Sequence, residues 1–360
     1  MTTITHPFTP PDADALGEFM GRFVMDMGAC AAGANVVVGD RLGLYAALFE
    51  TQPATPEEVA AEADCEPRYV REWLCGQAAG GYVGYDPQTE RFALSPEQAA
   101  CLVDPASPTY LPGAFQLAVA LYADVDKIVH AFRTGEGVGW HQHHHDLFEG
   151  TERFFRPGYA ANLVDAWIPA LDGVEARLLE GGRVADVGCG HGASTIILAQ
   201  AFPRAEVVGF DYHEASIEAA RRAADEAGVG DRVRFEVASA AEFPGEGYDL
   251  VCMFDCLHDM GDPAGAAAHV LRSLAEDGTW LIVEPNAGDR IEDNLNPVGR
   301  IFYSASTLIC TPASRAQEVG LALGAQAGEA RLRQVVTSGG FTRFRRATET
   351  PFNLVLEARP

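Results

Sequence analysis

From residue 15 to residue 49 apolar positions recur at helical spacing but are interrupted by glycines, which predicts two or three short helices rather than a single rod. The stretch "ATPEEVAAEADCEPRYVREWLCGQAAGGYVGYDPQTERFALSP" is punctuated more sharply. Thr55 caps a helix with Pro56 at its first position and Glu58 three residues after the cap. A second helix runs from Pro67 to Ala79 and stops at Gly80–Gly81, and "YVGYDPQTERFAL" reads as a hairpin turning at Asp86–Pro87. Helix, turn, helix and hairpin make a winged-helix unit. Residues 110–135 predict a long helix, and residues 153–180 more helix, ending at Gly181–Gly182.

Beyond that point strands alternate with helices. "RVADVG", "EVVGFD", "VRFEVAS", "YDLVCMFDC" and "TWLIVEPN" are the strands, with helices "GASTIILAQAF", "HEASIEAARRAADEAG" and "PAGAAAHVLRSLAED" between them. The pattern predicts an α/β domain, a doubly wound Rossmann-like parallel sheet. "RLRQVVTSGGF" adds a helix, and "TRFRRATET" with "FNLVLEAR" a terminal β-hairpin, which is not the usual dinucleotide-binding ending. The expected division is a mostly helical winged-helix domain at 1–105, a helical linker at 106–180 and the α/β domain at 181–360, after a loose arm "MTTITHPFTPPD".

The formal net charge of −25, with Lys127 the sole lysine, opposes binding to nucleic acid or to an anionic membrane surface. The most apolar early stretch, "GACAAGANVVVG", is too short and Gly-rich to span a bilayer. Eight cysteines without C-x-x-C spacing, and no signal peptide, fit buried thiols in a reducing cytoplasm.

"VADVGCGHGAS" places Asp186, Gly188, Gly190 and Gly192 at the turn after the first strand of the α/β domain. Its G-x-G-x-G spacing differs from the G-x-G-x-x-G that seats a pyrophosphate, which disfavours a nicotinamide-dependent oxidoreductase. An acid two positions before the first glycine suits an ammonium, and Asp211, closing the second strand, suits two ribose hydroxyls. Ribose, adenine and an ammonium without phosphate describe S-adenosylmethionine.

On these residues residues 180–360 resemble a class I S-adenosylmethionine-dependent methyltransferase, through D-x-G-x-G-x-G and the terminal hairpin. The resemblance implies that Asp186 and the glycines meet the methionine part, that Asp211 binds ribose, and that Tyr212 lies beside adenine. The family often has Asp-Ala where this chain has Ser239–Ala240. The fourth strand runs into "FDCLHDMGDP", so Phe254, Asp255 and His258 are expected to face the cofactor.

"LHDMGDP" is similar to the HDW-x-D stretch of plant caffeate-type small-molecule O-methyltransferases and their bacterial relatives, with Met260 in place of Trp. That likeness implies His258 as general base for an acceptor hydroxyl, oriented by Glu284; the family's second acid matches Glu329 only roughly. It also implies a winged helix that serves dimerisation. Trp140 and Phe148–Glu149 in "VGWHQHHHDLFEG" then belong to the pocket wall, with one or two of His141, His143, His144 and His145, while His145–Asp146 starts a helix. A metal held by this histidine stretch needs ligands from elsewhere, such as Asp255, His258 or Glu284, and a plain polar turn is the bland alternative. "NPVGRIFYSASTLICTPAS" is expected to form a helix over the acceptor, with Phe302, Tyr303 and Thr307 on the wall.

The expectation is therefore a cytoplasmic homodimer that methylates a small molecule, at an aromatic hydroxyl, without a metal. An N- or C-methyltransferase working by proximity stays open. So does a structural role for His258. A winged-helix regulator sensing S-adenosylmethionine is opposed by residues 1–100, which hold five arginines, no lysine and fifteen acids.

Overall fold

The structure, a computed structural model, describes residues 10–360, so most of the expected N-terminal arm lies outside the described residues. The chain divides into two compact units after Phe115, and residues 116–180 cluster with the α/β domain rather than standing apart.

In the first unit α1 (Ala13–Arg41) is one unbroken helix of 29 residues, followed by α2 (Leu44–Thr51). This corrects the expectation of short helices. An interior glycine costs a helix only about 1 kcal/mol, and α1 has an Asp12 cap at one end and a left-handed Gly43 beyond the other. Helices α3 (Pro56–Glu62) and α4 (Pro67–Ala79) start where their caps predict; Thr55 and Glu58 form a reciprocal capping box. Strands β1 (Gly84–Asp86) and β2 (Arg91–Ala93) form the wing, and Ala54 pairs with Phe92 beside it. Helix α5 (Pro96–Leu102) closes the unit around Leu48, Val59, Trp73, Leu74 and Phe92.

Residues 110–135 form two helices, α6 (Pro112–Ala123) and α7 (Val125–Thr134), not one. The break is Asp124, whose buried carboxylate accepts from Lys127 Nζ at 2.6 Å, His143 Nδ1 at 2.9 Å and His144 N at 2.8 Å. The helix is interrupted to anchor the histidine stretch. Helix α8 (Asp146–Asn162) then runs into a π-helical turn at Leu163–Trp167, and α9 (Val174–Glu180) leads to the sheet.

Strands and helices alternate as β3 (Arg183–Val187), α10 (Ala193–Ala201), β4 (Glu206–Asp211), α11 (Glu214–Glu226), β5 (Val233–Val237), β6 (Tyr248–Phe254), α12 (Pro263–Ser273) and β7 (Leu274–Pro285). The strand β7 begins earlier than expected, because Leu274 already pairs with Tyr248 and ends α12 at Ser273. Then come α13 (Pro297–Ala305), a π-helical turn at Ser306–Cys310, α14 (Thr311–Arg315), α15 (Gly328–Ser338), β8 (Arg343–Glu349) and β9 (Asn353–Arg359). The seven strands are ordered β5-β4-β3-β6-β7-β9-β8, with β9 antiparallel to both its neighbours. Apolar side chains fill both faces of this sheet, one cluster around Trp167 and Leu250, the other around Trp280 and Val251. A sheet covered on both faces leaves its carboxyl edge as the place for a ligand.

Candidate active site

A cavity of about 440 Å³ opens at that edge, within the second unit. Its floor is the turn after β3. Gly188 and Gly192 have φ of +78° and +82°. A Cβ on Gly188 would lie 2.7 Å from Cys256 Sγ, and one on Gly192 2.8 Å from the Phe235 ring. Both positions therefore demand glycine for conformation and for space. Asp211 at the end of β4 ties this floor down: its Oδ2 accepts from Gly190 N at 3.0 Å and its Oδ1 from His213 N at 2.9 Å. Burial pushes its carboxyl above the ordinary range. Gly188, Gly190, Asp211, Tyr212, Ser239, Ala240, Phe254 and Asp255 all line the cavity, while Gly192 supports it from behind.

Asp186 does not line it. The carboxylate is fully buried and accepts from Ser194 Oγ and Thr195 Oγ1, both at 2.6 Å, which fastens β3 to the first turn of α10. Burial raises its carboxyl to about 6. Both hydroxyls take Oδ2, and the buried Oδ1 has no hydrogen-bond partner among the described residues.

His258 stands in the 3-10 turn Leu257–Asp259 after β6, buried and behind the cavity wall. Its Nδ1 meets Glu284 Oε2 at 2.6 Å, and Glu284 Oε1 accepts from Leu257 N at 2.9 Å. The expected partnership of the fourth and fifth strands is formed. Its Nε2 lies 3.0 Å from Asp259 Oδ1, and Asp259 reaches the cavity and accepts from Trp140 Nε1 at 3.1 Å. Burial alone would lower the imidazole's pKa, but Glu284 and Asp259 together hold it well above the ordinary histidine value. His258 lies between two carboxylates that favour its protonated form.

The four crowded histidines diverge. Trp140 and His141 line the cavity. His143 is buried on Asp124, His144 leans on Asp146 at 3.4 Å, and His145 is 79 % exposed. Helix α8 starts at Asp146, as expected. His144 is therefore off the wall. Phe302 packs with Leu147 and Ile309, and the Thr307 hydroxyl returns to the Tyr303 carbonyl on its own helix; none of Phe302, Tyr303 and Thr307 lines the cavity. The predicted helix over 296–314 does form, but its end reaches the cavity, through Ala313 with Ala316 and Gln317 just beyond. Glu329 pairs with Arg333 and Arg346 away from the cavity.

The sequence reading missed Glu152, Tyr159, His191 and His213 on the wall. Tyr159 falls in the stretch expected only to be helical, and nothing local says that it faces a ligand. His213 follows Asp211 closely enough to have been suspected; its ring stacks on Phe148 at 4.6 Å. Among the described residues two groups could hold a metal, His144–His145–Asp146 and His258–Asp259–Cys310, with ligand atoms within 4.8 Å in each.

Four acids, Glu152, Asp211, Asp255 and Asp259, face the cavity, and there is no arginine or lysine among the described residues that line it. Such a wall rejects phosphates and suits a ligand with positive charge. Residues 178–334 match the family described as "Methyltransferase domain", and residues 30–104 the "Rv2258c-like winged HTH domain". Residues 178–334 are thus similar to a methyltransferase domain and residues 30–104 to a winged helix.

The chain is 28 % identical over 334 residues to the O-demethylpuromycin-O-methyltransferase of Streptomyces alboniger, covering 87 % of this chain and 82 % of that one. It is 37 % identical over 133 residues to a ubiquinone biosynthesis O-methyltransferase of Bordetella parapertussis, spanning 36 % of this chain but only 52 % of that protein. Among other relatives the match spans about half of the relative or less. The fold is that of human N-acetylserotonin methyltransferase solved with S-adenosylmethionine, at a TM-score of 0.67 and 16 % identity, covering 98 % of this chain and 99 % of that one. Mitomycin 7-O-methyltransferase shares it at a TM-score of 0.67 and 19 % identity, over 97 % and 99 % of the two chains. No helix among the described residues is long and apolar enough to cross a membrane.

Proposed function

We propose that the chain transfers the methyl group of S-adenosylmethionine to a hydroxyl, by preference an aromatic one, of a small-molecule acceptor. The observation that carries this reading is the cavity wall: a glycine turn, a ribose-suited Asp211, and four carboxylates with no arginine or lysine among the described lining residues. That charge fits a cationic adenosyl ligand and opposes a nicotinamide dinucleotide. When bound, S-adenosylmethionine supplies an electrophilic methyl on a sulfonium. Asp211, still holding lone pairs beyond its two backbone donors, takes the ribose hydroxyls.

His258 serves as the base in this reading, with Asp259 as its gate. While Asp259 holds Nε2, the imidazolium cannot accept a proton. Turning Asp259 toward the acceptor with the Nε2 proton on its carboxyl leaves a neutral ring whose Nε2 can take the acceptor's proton. A phenol, with a pKa near ~10, is a proton donor that an imidazole can serve; an alkyl alcohol is far harder. Trp140, donating to Asp259, couples the acceptor loop to this gate.

The winged helix suits a second copy better than DNA. Leu16, Phe19, Met20, Phe23, Val24 and Met27 recur at helical spacing on α1 with their side chains exposed, and the unit is strongly acidic. A panel of phenols, amines and carbon acids incubated with methyl-labelled S-adenosylmethionine tests the reaction. Label on a phenolic oxygen supports the reading. Label on amines alone, in a protein whose His258→Ala variant keeps its rate, defeats it.

A further inference from the structure

His258 and Asp259 have a third neighbour that the proposed reaction does not use. Cys310 closes the π-helical turn Ser306–Cys310, and all three residues are buried. The Cys310 thiol, the His258 ring and the Asp259 carboxylate each present a donor atom within 4.8 Å of the other two. They come from segments far apart in sequence that are fastened together beside the cluster. Ser314 Oγ on α14 donates to the Met260 carbonyl at 2.8 Å. Just beyond α14, Gln317 Nε2 donates to the Asp259 carbonyl at 3.0 Å, and its Oε1 accepts from Gly261 N at 3.0 Å. The three donors are thus held together by the fold itself.

Polar atoms within the cluster are incompletely satisfied. Glu284 takes Nδ1 of His258 at 2.6 Å, which leaves Nε2 for the cluster. Asp259 Oδ1 stands 3.0 Å from Nε2, yet it is buried and has no aligned hydrogen-bond donor among the described residues. A buried carboxylate oxygen without a donor is a position that a cation satisfies. Asp259 also lines the cavity, which gives an ion a way in. Imidazole and thiolate are borderline to soft ligands, so the donor set selects Zn2+ or Cd2+ over Mg2+ or Ca2+. Around a tetrahedral ion with bonds of about 2.0–2.3 Å the donors stand about 3–4 Å apart, so the cluster contracts by about 1 Å at most. Glu284 on Nδ1 supplies the outer carboxylate that orients a metal-bound histidine. The second candidate group, His144–His145–Asp146, has no sulfur, and its His145 is 79 % exposed.

We propose that His258 Nε2, Asp259 Oδ1 and Cys310 Sγ form a site for one thiophilic divalent ion, which stops methyl transfer by occupying the base. The inhibitory part rests on the reading of His258 as base given above. Binding exchanges two protons, one from Nε2 and one from Sγ, for one divalent ion. Imidazolium, thiol and carboxylate sum to no net charge, and so do imidazole, thiolate, carboxylate and a dication. The exchange therefore adds no net charge to a buried place. With its Nε2 lone pair on the metal, His258 has none for the acceptor's proton.

The test titrates the full chain with Cd2+, whose bond to thiolate gives an ultraviolet charge-transfer band, in the wild type and in Cys310→Ser. Methyl transfer to a phenol that the wild type labels is followed in parallel. Serine keeps the size and a hydroxyl but loses the soft donor. The band should saturate at one equivalent in the wild type and be missing there in the variant. Half-inhibition, each protein measured against its own metal-free rate, should need at least tenfold more Cd2+ or Zn2+ in Cys310→Ser, and Mg2+ should inhibit neither. A band that survives the substitution, as one from the exposed Cys30 or Cys75 would, overturns the proposal. So does inhibition of equal potency in the two proteins. If Cys310→Ser does not fold, X-ray absorption of the wild type with one equivalent of Cd2+ decides. One sulfur among nitrogen and oxygen neighbours is expected, and none or several overturns the site. A band that depends on Cys310 while turnover is untouched keeps the metal site and defeats His258 as base, so the two failures are distinct.

Discussion

Glu284→Gln isolates the clamp on His258. The substitution keeps volume and one acceptor, but a neutral amide cannot accept at both Oε1 and Oε2, where Leu257 N donates at 2.9 Å and His258 Nδ1 sits at 2.6 Å. One buried N–H then faces an NH2 group. Removing one partner of a buried ion pair costs about 3–5 kcal/mol, and the retained volume and acceptor favour the lower end, about 3 kcal/mol. For a unit of this size each kcal/mol moves the melting temperature by about 2–4 °C, so Tm should fall by roughly 6–12 °C. The pH dependence follows from the sign of the shift. His258 is held above its ordinary value of about 6.5, so the ion pair's contribution is complete below that pH and is lost as pH rises through the raised folded value. The gap between wild type and variant is therefore widest near pH 6 and narrows in alkali. Thermal melts followed by circular dichroism from pH 6 to 10 measure it. A gap under 2 °C at pH 6, or one that widens with pH, would refute the clamp.

Asp259→Asn removes one of the two carboxylates that favour the imidazolium, so the rise of kcat/KM with pH should move to lower pH; an unmoved rise denies the gate. His258→Ala should lower turnover by about 10²–10⁴-fold with acceptors of high pKa, and by less with acidic phenols; a uniform loss across phenols speaks against proton removal. Phe23→Asp on the exposed stripe of α1 should weaken self-association at least tenfold in sedimentation equilibrium, and an unchanged mass distribution removes α1 as the contact. Dialysis against a chelator should leave turnover intact; loss restored by one divalent ion would instead assign His258, Asp259 and Cys310 as ligands.

The elements with local grammar were legible from the sequence. Thr55–Pro56–Glu58 and Gly80–Gly81 bounded their helices because caps act within one turn, and the alternating strands announced the sheet because each is apolar on both faces. The glycine turn and Asp211 were legible because their spacing is set by one strand-turn-helix unit. What was not legible depended on which of several partners each side chain takes in three dimensions. Asp186 turned to Ser194 and Thr195, His258 was enclosed by Asp259 as well as Glu284, and Asp124 split a helix to hold His143 and His144. Phe302, Tyr303 and Thr307 were placed by analogy of position, and helical phase turned them elsewhere. Tyr159 escaped notice because a wall residue of a cavity looks, in sequence, like any buried aromatic.

The central claim is that the cavity takes S-adenosylmethionine through the glycine turn and Asp211. The most direct measurement is thermal denaturation of the wild type and Asp211→Ala with each of S-adenosylmethionine, S-adenosylhomocysteine and NAD. At 100 times its dissociation constant a ligand adds about 2.7 kcal/mol, so both adenosyl ligands should raise the wild-type Tm by roughly 5–11 °C. NAD should leave it unchanged, and Asp211→Ala should lose most of the shift. A wild-type curve that ignores saturating S-adenosylmethionine, or that moves with NAD instead, would contradict the account.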